Sequence, residues 1–467
     1  MSYTSFIFLV FLAVAAFLYR LCPIRWRPAL LLVLSYVFYL TWAPTAVLLL
    51  AALTVLTFFG ARASGTGGWI APALTVLLTA CLAAFKIALL TPSHGLAGLV
   101  MPLGISIYTF KLISYVLDVH WGKIAPEKSL TRFAAYVSFF PQIVAGPIQR
   151  PDDFFSQLPP SRVSLPAALP RMAWGFTKKL LIADNLAPAV NYVYAHVSSL
   201  QGVPLWIGFY LFPLQLYADF SGLTDIAIGA GRLFGVNGPE NFDRPFTASS
   251  VSEYWRRWNM SFTNWLRDYV FMPLRMATRA AGNLGLAFSI TVNMVAIGLW
   301  HGLTYGFLLF GLLHSGYLIA EAFTSRWRSR FFKRHNRWNA AGNFLGWLLT
   351  FHLVAFALVF FRSPRVSDAF WLLEHLSTEW ANSAAALKSI LAQLQPRILL
   401  IGLAGYAVLE LGERYRPDLW IKNMGDSAPR WQRWSFYFVA AMTLTVGLGL
   451  LLVHSGGARS PFIYEIF

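Results

Sequence analysis

Charge is scarce in this sequence. Asp, Glu, Lys and Arg make up 12% of its 467 residues while 57% are hydrophobic, against roughly 25% charged residues in soluble domains. With a mean hydropathy of +0.56, the chain is excluded from the soluble globular class and reads as an integral membrane protein. Cysteine is nearly missing as well: Cys22 and Cys81 lie in or beside early apolar runs, which excludes a disulfide framework and a cysteine metal site. No Lys or Arg precedes the first apolar run, and the first basic residues, Arg20, Arg25 and Arg27, follow it. That is not the charged leader of a secretory signal, so residues 1–19 read as a first membrane helix with its N-terminus outside. Neither an internal repeat nor a domain boundary is visible, and residues 1–467 read as one helical membrane domain.

What charge there is carries a bias. The formal net charge is +17, but the Lys and Arg residues sit at the ends of apolar segments and in the connections between them. This is the pattern of topology determinants, not of a phosphate-binding face, so no nucleic-acid partner is expected. A helical span needs about 20 mostly apolar residues, fewer where a segment is re-entrant. On that basis about 11–12 membrane segments are predicted, at 3–19, 29–42, 44–60, 69–87, 98–118, 180–199, 203–232, 284–302, 303–322, 343–361, 398–411 and 434–454, several of them too short or interrupted to be simple rods. Phe133 to Pro147 is apolar but short and has basic flanks, Arg132 and Arg150. It reads as a segment that enters and leaves on one side, which requires other helices to cover its irregular backbone.

Placing the basic connections in the cytoplasm gives a consistent parity: Arg20 to Arg27, Arg62, Lys123 to Lys179, Arg232 to Arg279 and Arg326 to Arg337 share one side. Ser363 to Gln395, with Asp368, Glu374 and Glu379, and the tail from His454 to Phe467 fall outside. Residues 235–280 are too polar and aromatic to span and are expected as a cytoplasmic interfacial region, with a helix from Ser252 to Arg275 carrying Trp255, Arg256, Trp258 and Asn259 on adjacent faces.

Against this background one stretch stands out. Trp300-His301-Gly302 closes the apolar run from Ala287 to Leu299 and puts an ionisable imidazole where hydrocarbon normally allows none. Such groups usually face a protein-lined cavity. His314 follows inside the next apolar segment; on one continuous helix the two rings would point about 220° apart at about 100° per residue, but Gly302 and the parity change argue for a turn between them. Upstream, Glu253-Tyr-Trp-Arg-Arg-Trp-Asn-Met-Ser261 packs three aromatics, two arginines and an amide between hydrophobic spans. A basic aromatic segment followed by a membrane-buried histidine points to an enzyme that takes an anionic donor at one membrane face and moves a proton within the bilayer. Asp219 and Asp225, in the apolar stretch 203–232, can be a proton path or can pair with Arg groups to hold broken helices; the second reading is favoured. His352 reads as structural. No HExxH and no His, Cys or carboxylate cluster at ligand spacing occurs, so no metal is expected.

Met101-Pro-Leu-Gly-Ile-Ser-Ile-Tyr-Thr-Phe110, Phe140-Pro-Gln-Ile-Val-Ala-Gly-Pro147, Tyr217-Ala-Asp-Phe-Ser-Gly222, Glu240-Asn-Phe-Asp-Arg-Pro245, Tyr254-Trp-Arg-Arg-Trp-Asn-Met-Ser261, Trp265-Leu-Arg-Asp-Tyr269 and Leu299-Trp-His-Gly302, taken together and in this order, resemble the membrane-bound O-acyltransferase superfamily. The likeness runs from Tyr3 to Tyr464 and is greatest to the bacterial branch that serves alginate O-acetylation and teichoic acid D-alanylation. It implies an all-helical polytopic fold with re-entrant helices and a central tunnel, with His301 midway along that tunnel as a catalytic residue. It places the second catalytic position at Asn259, where the bacterial relatives carry histidine, so asparagine is a departure towards the eukaryotic branches.

Acyl transfer from a thioester to a hydroxyl needs a base for the hydroxyl proton and a donor for the developing oxyanion. Imidazole, with its ordinary pKa near ~6.5, suits the first task, and the Asn259 amide, which does not titrate, suits the second. His314 is the second candidate for the base. Arg256 and Arg257 are candidates for the phosphates of a coenzyme A donor, for which a guanidinium fork is well shaped; topology or lipid headgroups are their ordinary alternative. Trp255 and Trp258 can stack on the donor's nucleotide or anchor at headgroup level. The expected donor substrate is acyl-CoA, in the first place acetyl-CoA, with no bound cofactor. The expected setting is the bacterial inner membrane with both termini periplasmic, and the acceptor a cell-surface or secreted polysaccharide reached with a periplasmic partner. A transporter or flippase of an acylated or lipid-linked intermediate is the rival; it predicts an internal inverted repeat.

Overall fold

The computed structural model describes residues 2–42, 44–64, 68–88, 102, 104–158, 165–335, 338–378, 388 and 396–415. The predicted span at 434–454, the tail beyond it and Glu379 lie outside the described residues, as do the first residues of the span at 98–118. Helices account for nearly all regular structure, and no strand occurs among the described residues. Among the described residues the chain groups into two compact units, one formed by those up to 176 and 223–240, the other by 177–222 and those from 241 to 415.

The first unit contains α1 (Phe6–Leu21), α2 (Arg27–Leu40), α3 (Pro44–Ser64), α4 (Ile70–Ala88), α5 (Ile105–His120), α6 (Leu130–Ser138), α7 (Pro151–Ser156) and α8 (Leu165–Phe176). After α6 the chain is irregular from Phe139 to Gln149 yet almost wholly buried. Its backbone groups are met from within the unit: Tyr3 donates to the Phe140 carbonyl, Ser35 accepts from the Phe140 N–H, and Thr224 donates to the Ala145 carbonyl. Covered backbone of this kind is what the short apolar segment at 133–147 requires at membrane depth.

The second unit contains α9 (Asp184–Ala195), most of α10 (Val203–Arg232), α11 (Val251–Arg257), α12 (Met260–Leu266), α13 (Met272–Ala277), α14 (Gly282–His301), α15 (Tyr305–Arg334), α16 (Asn339–Arg362), α17 (Val366–Glu374) and α18 (Pro396–Tyr415). Residues 223–232 of α10 belong to the first unit. Among the described residues five helices are long and apolar enough to cross a membrane: Pro44–Ser64, Ile70–Ala88, Arg279–His301, Tyr305–Arg334 and Asn339–Arg362.

Three expectations change. The segment 180–199 is no simple rod: a π-helical turn over Thr177–Ala183 precedes the 12-residue α9. Lys178 and Lys179, read from the sequence as the end of an exposed basic connection, are buried there. Lys179 lies 2.8 Å from both Asp184 and Asp219, and Lys178 pairs with Glu413 of α18. Asp225 likewise pairs with Arg171 at 2.6 Å, so each of the two buried carboxylates of the 203–232 helix is paired with a cation of an earlier helical segment. Finally, the helix expected from Ser252 to Arg275 is a series of short pieces, for a reason given below.

α14 and α15 form a tight hairpin. Gly298 lies so close to α15 that a Cβ there would sit 2.2 Å from the Phe307 carbonyl oxygen, and one on Gly311 would sit 2.7 Å from that of Met294. Small residues permit this approach of backbones where lipid offers no hydrophobic drive between helices, and Thr291 and Ser315 hydrogen-bond across the pair at 2.8 Å. The turn expected at Gly302 is present: α14 ends on His301 and α15 begins at Tyr305, capped by Thr304.

Candidate active site

The hairpin sets His301 at the end of α14 facing side chains of α15 and α16. Its ring lies among Trp300, Phe307, Phe310 and Phe361, at centroid distances of 4.6, 5.9, 6.3 and 4.7 Å. The side chain is buried, with 6% of its surface exposed. His314 lies one turn beyond Phe310 and packs on the same ring at 4.7 Å. The two histidines therefore flank Phe310, a placement that the turn makes possible.

His314 is fully buried, and its Nδ1 accepts a hydrogen bond from the Trp255 indole N–H at 3.2 Å. An indole can only donate, so the ring proton of a neutral His314 resides on Nε2, which has no hydrogen-bond partner among the described residues. The Tyr254 ring stacks 6.2 Å away and Tyr317 closes another side. His314 thereby ties α11 to α15.

α11 is short because the sequence caps and then breaks it. Ser250 accepts from the Glu253 N–H, and the Glu253 carboxylate accepts from the Ser249 N–H and hydroxyl, a reciprocal arrangement that satisfies donors at the helix start. Burial pushes the Glu253 carboxyl up, but the two Ser249 hydrogen bonds and the Arg257 and Arg256 charges outweigh it, leaving the group below the ordinary carboxylate range. This cap persists at neutral pH and is lost only as pH falls through that depressed value.

The break falls at Trp258 and Asn259. Trp258 is extended, and Asn259 takes left-handed backbone angles, φ 42° and ψ 51°, a region that asparagine enters more readily than most residues. Asn259 is the N-cap residue of α12, but its side chain does not cap. Asn241 does so in its place: its Oδ1 accepts from the Ser261 N–H at 3.1 Å and its carbonyl from the Met260 N–H at 2.9 Å. The Asn259 amide, 5% exposed, makes no hydrogen bond among the described residues. Its helix is held against the histidine end of α14 by Phe262, whose ring lies 4.3 Å from that of Trp300. Asn241 stands in the Glu240-Asn-Phe-Asp-Arg-Pro245 motif, but no reading of the sequence gave it this role.

Both tryptophans of the stretch are buried, with 5% exposure each, so anchoring at headgroup level does not describe them. Trp258 lies among Tyr217, Phe242, Phe246 and Tyr254 at centroid distances of 6.2, 5.1, 6.0 and 5.6 Å. The arginines differ from each other. Arg257 is committed to Glu253 and to the Thr247 hydroxyl, the latter at 2.7 Å. Arg256 is exposed and makes no side-chain hydrogen bond or ion pair among the described residues. His352 is used by its surroundings, 3.1 Å from the Tyr210 hydroxyl. Among the described residues no three His, Cys, Asp or Glu side chains converge as metal ligands.

Long apolar helices, a covered irregular segment and a histidine enclosed by aromatic rings at a helix end define a polytopic membrane protein with a buried histidine. Residues 124–363 match the MBOAT, membrane-bound O-acyltransferase family. The chain is 33% identical over 454 residues to the "Probable alginate O-acetylase AlgI" of Azotobacter vinelandii, an alignment covering 90% of this chain and 87% of that protein. It is 34% identical over 407 residues to the protein of the same description from Pseudomonas aeruginosa, covering 80% of this chain and 74% of that one. With the "Teichoic acid D-alanyltransferase" of Bacillus subtilis it shares 29% identity over 291 residues, 58% of this chain and 71% of that one. The chain belongs to the membrane-bound O-acyltransferase family and is a multi-pass membrane acyltransferase.

Proposed function

We propose that this protein takes an acyl group, in the first place acetyl, from an acyl-CoA at the cytoplasmic face of a bacterial inner membrane. It passes the group along a central tunnel to a hydroxyl of a cell-surface or secreted polysaccharide, with a periplasmic partner completing the delivery. Both termini are periplasmic in this reading. The observation that carries it is the buried His301 inside its aromatic enclosure, in a chain with relatives described as "Probable alginate O-acetylase AlgI". His301 accepts the proton of the incoming hydroxyl as its oxygen attacks the thioester carbon. The Asn259 NH2 donates to the carbonyl oxygen as it becomes an oxyanion. When the tetrahedral intermediate collapses, the C–S bond breaks and the imidazolium returns its proton to the leaving thiolate, so the products are the ester and the free thiol.

His314, held through Nδ1 by Trp255, acts as a positioning residue in this scheme, and Trp255 and Trp258 frame the site. Arg256 contacts the donor's phosphates, while Arg257 holds its own helix. Arg256→Ala should therefore raise KM for acyl-CoA by about tenfold, the scale of a lost charged hydrogen bond, with little change in kcat or melting temperature. Arg257→Ala should lower the melting temperature instead. Steady-state kinetics and thermal melts of the two purified variants distinguish them; equal effects on both readouts would remove the distinction. The wider reading is tested by offering the purified protein labelled acyl-CoAs of several chain lengths and measuring free thiol. Preferential consumption of acetyl-CoA supports it, and consumption of none contradicts it.

A further inference from the structure

α15 is longer than a membrane crossing needs. Its 30 residues extend about 45 Å at 1.5 Å per residue, against a hydrocarbon core of about 30 Å. The apolar part runs from Tyr305 to Phe323, and the last three turns carry Arg326, Arg328, Arg330, Lys333 and Arg334 without an acidic residue from Ala322 to His335. Arg326, Arg330, Lys333 and Arg334 recur at helical spacing on one face. All four are exposed, and among the described residues none makes a side-chain hydrogen bond or ion pair. The nearest acid on the helix, Glu321, is engaged by the Ser252 N–H at 3.1 Å. Arg328, on another face, donates to the Glu321 carbonyl.

Beside this basic stripe runs an aromatic one at the same period. Phe323, Trp327 and Phe331 are 51%, 68% and 39% exposed, and the Trp327 and Phe331 rings stack at 5.8 Å. Exposed aromatic rings favour the headgroup level of a bilayer, and cations beside them reach the phosphate layer. A soluble phosphate ligand would use the cations but has no use for a lengthwise stripe of exposed rings. We propose that the last three turns of α15 form a binding stripe for anionic phospholipid headgroups, phosphatidylglycerol serving as the simplest example, with Phe323, Trp327 and Phe331 seated in the headgroup layer beside the cations.

The probe is phosphatidylglycerol titrated into the detergent-purified full chain, with bound lipid counted by native mass spectrometry and phosphatidylcholine as the reference. Each basic side chain at an anionic surface contributes about a fivefold factor, so the combined Arg326→Gln, Arg330→Gln, Lys333→Gln and Arg334→Gln variant should bind phosphatidylglycerol about 600-fold more weakly, with phosphatidylcholine unchanged. A second variant that keeps the charges, Arg326→Lys, Arg330→Lys, Lys333→Arg and Arg334→Lys, should retain the wild-type preference, which separates lost charge from lost folding. Unchanged phosphatidylglycerol binding in the glutamine variant overturns the proposal. Parallel loss of both lipids in both variants overturns it too. Displacement of the bound lipid by coenzyme A, with coenzyme A binding lost in the glutamine variant, would assign the stripe to the acyl donor and likewise overturn it.

Discussion

His301→Ala is expected to lower acyl-transfer turnover by about 10²–10⁴-fold, the range for loss of a general base, while the protein stays folded. The separation is expected because the ring is hypothesised to serve the reaction, whereas the packing of α14 on α15 rests on Gly298, Gly311 and the Thr291–Ser315 hydrogen bond. His301→Gln, which keeps much of the volume in the aromatic enclosure but cannot take a proton at neutral pH, should be equally inactive. Thiol release assayed beside a melting curve checks both variants. Full turnover in a well-folded His301→Ala protein would remove His301 from the chemistry.

The second large effect is expected at Asn259. Loss of one oxyanion donor typically costs about 10²–10³ in turnover, and Asn259→Ala should slow transfer by about one to three powers of ten. The effect should appear without a melting change of the size expected from losing a helix cap, because Asn241, not Asn259, satisfies the first N–H groups of α12. Asn241→Ala provides the contrast: it should lower stability, by about 1 kcal/mol for a lost cap, as well as activity. Asn259→His, which keeps a donor, should retain part of the rate. The wild-type pH profile should show one ionisation from His301 and none from position 259, because an amide does not titrate in this range. Full activity in Asn259→Ala would make the position structural and require another partner for His301, with His314 the first to test.

Much of this arrangement was legible in the sequence because it depends on local signals. Apolar run length located α3 and α16, read as 44–60 and 343–361 and found at Pro44–Ser64 and Asn339–Arg362. Gly302 and the parity change marked the turn that brings His301 and His314 onto one phenylalanine. What was not legible depends on partners distant in the chain. The 3.6-residue period continues through Trp258 and Asn259, and the helix breaks there with Asn241, eighteen positions earlier, accepting the N–H groups beyond the break. Trp255 and Trp258 resemble headgroup anchors by composition, and their burial follows from Tyr217, Phe242 and His314, which fold against them. Lys178 and Lys179 resemble the edge of a basic connection because Glu413, which neutralises the first, lies 235 positions away.

The most direct test of the central claim places the protein in sealed proteoliposomes, with labelled acetyl-CoA on the face of the basic connections and a hydroxyl acceptor only on the other face. The wild type should release coenzyme A thiol on the donor side and deliver labelled acetyl to the opposite side, and His301→Ala should do neither. Thiol release with the label remaining on the donor side, or equal delivery by the His301→Ala protein, would contradict transfer through a buried histidine centre.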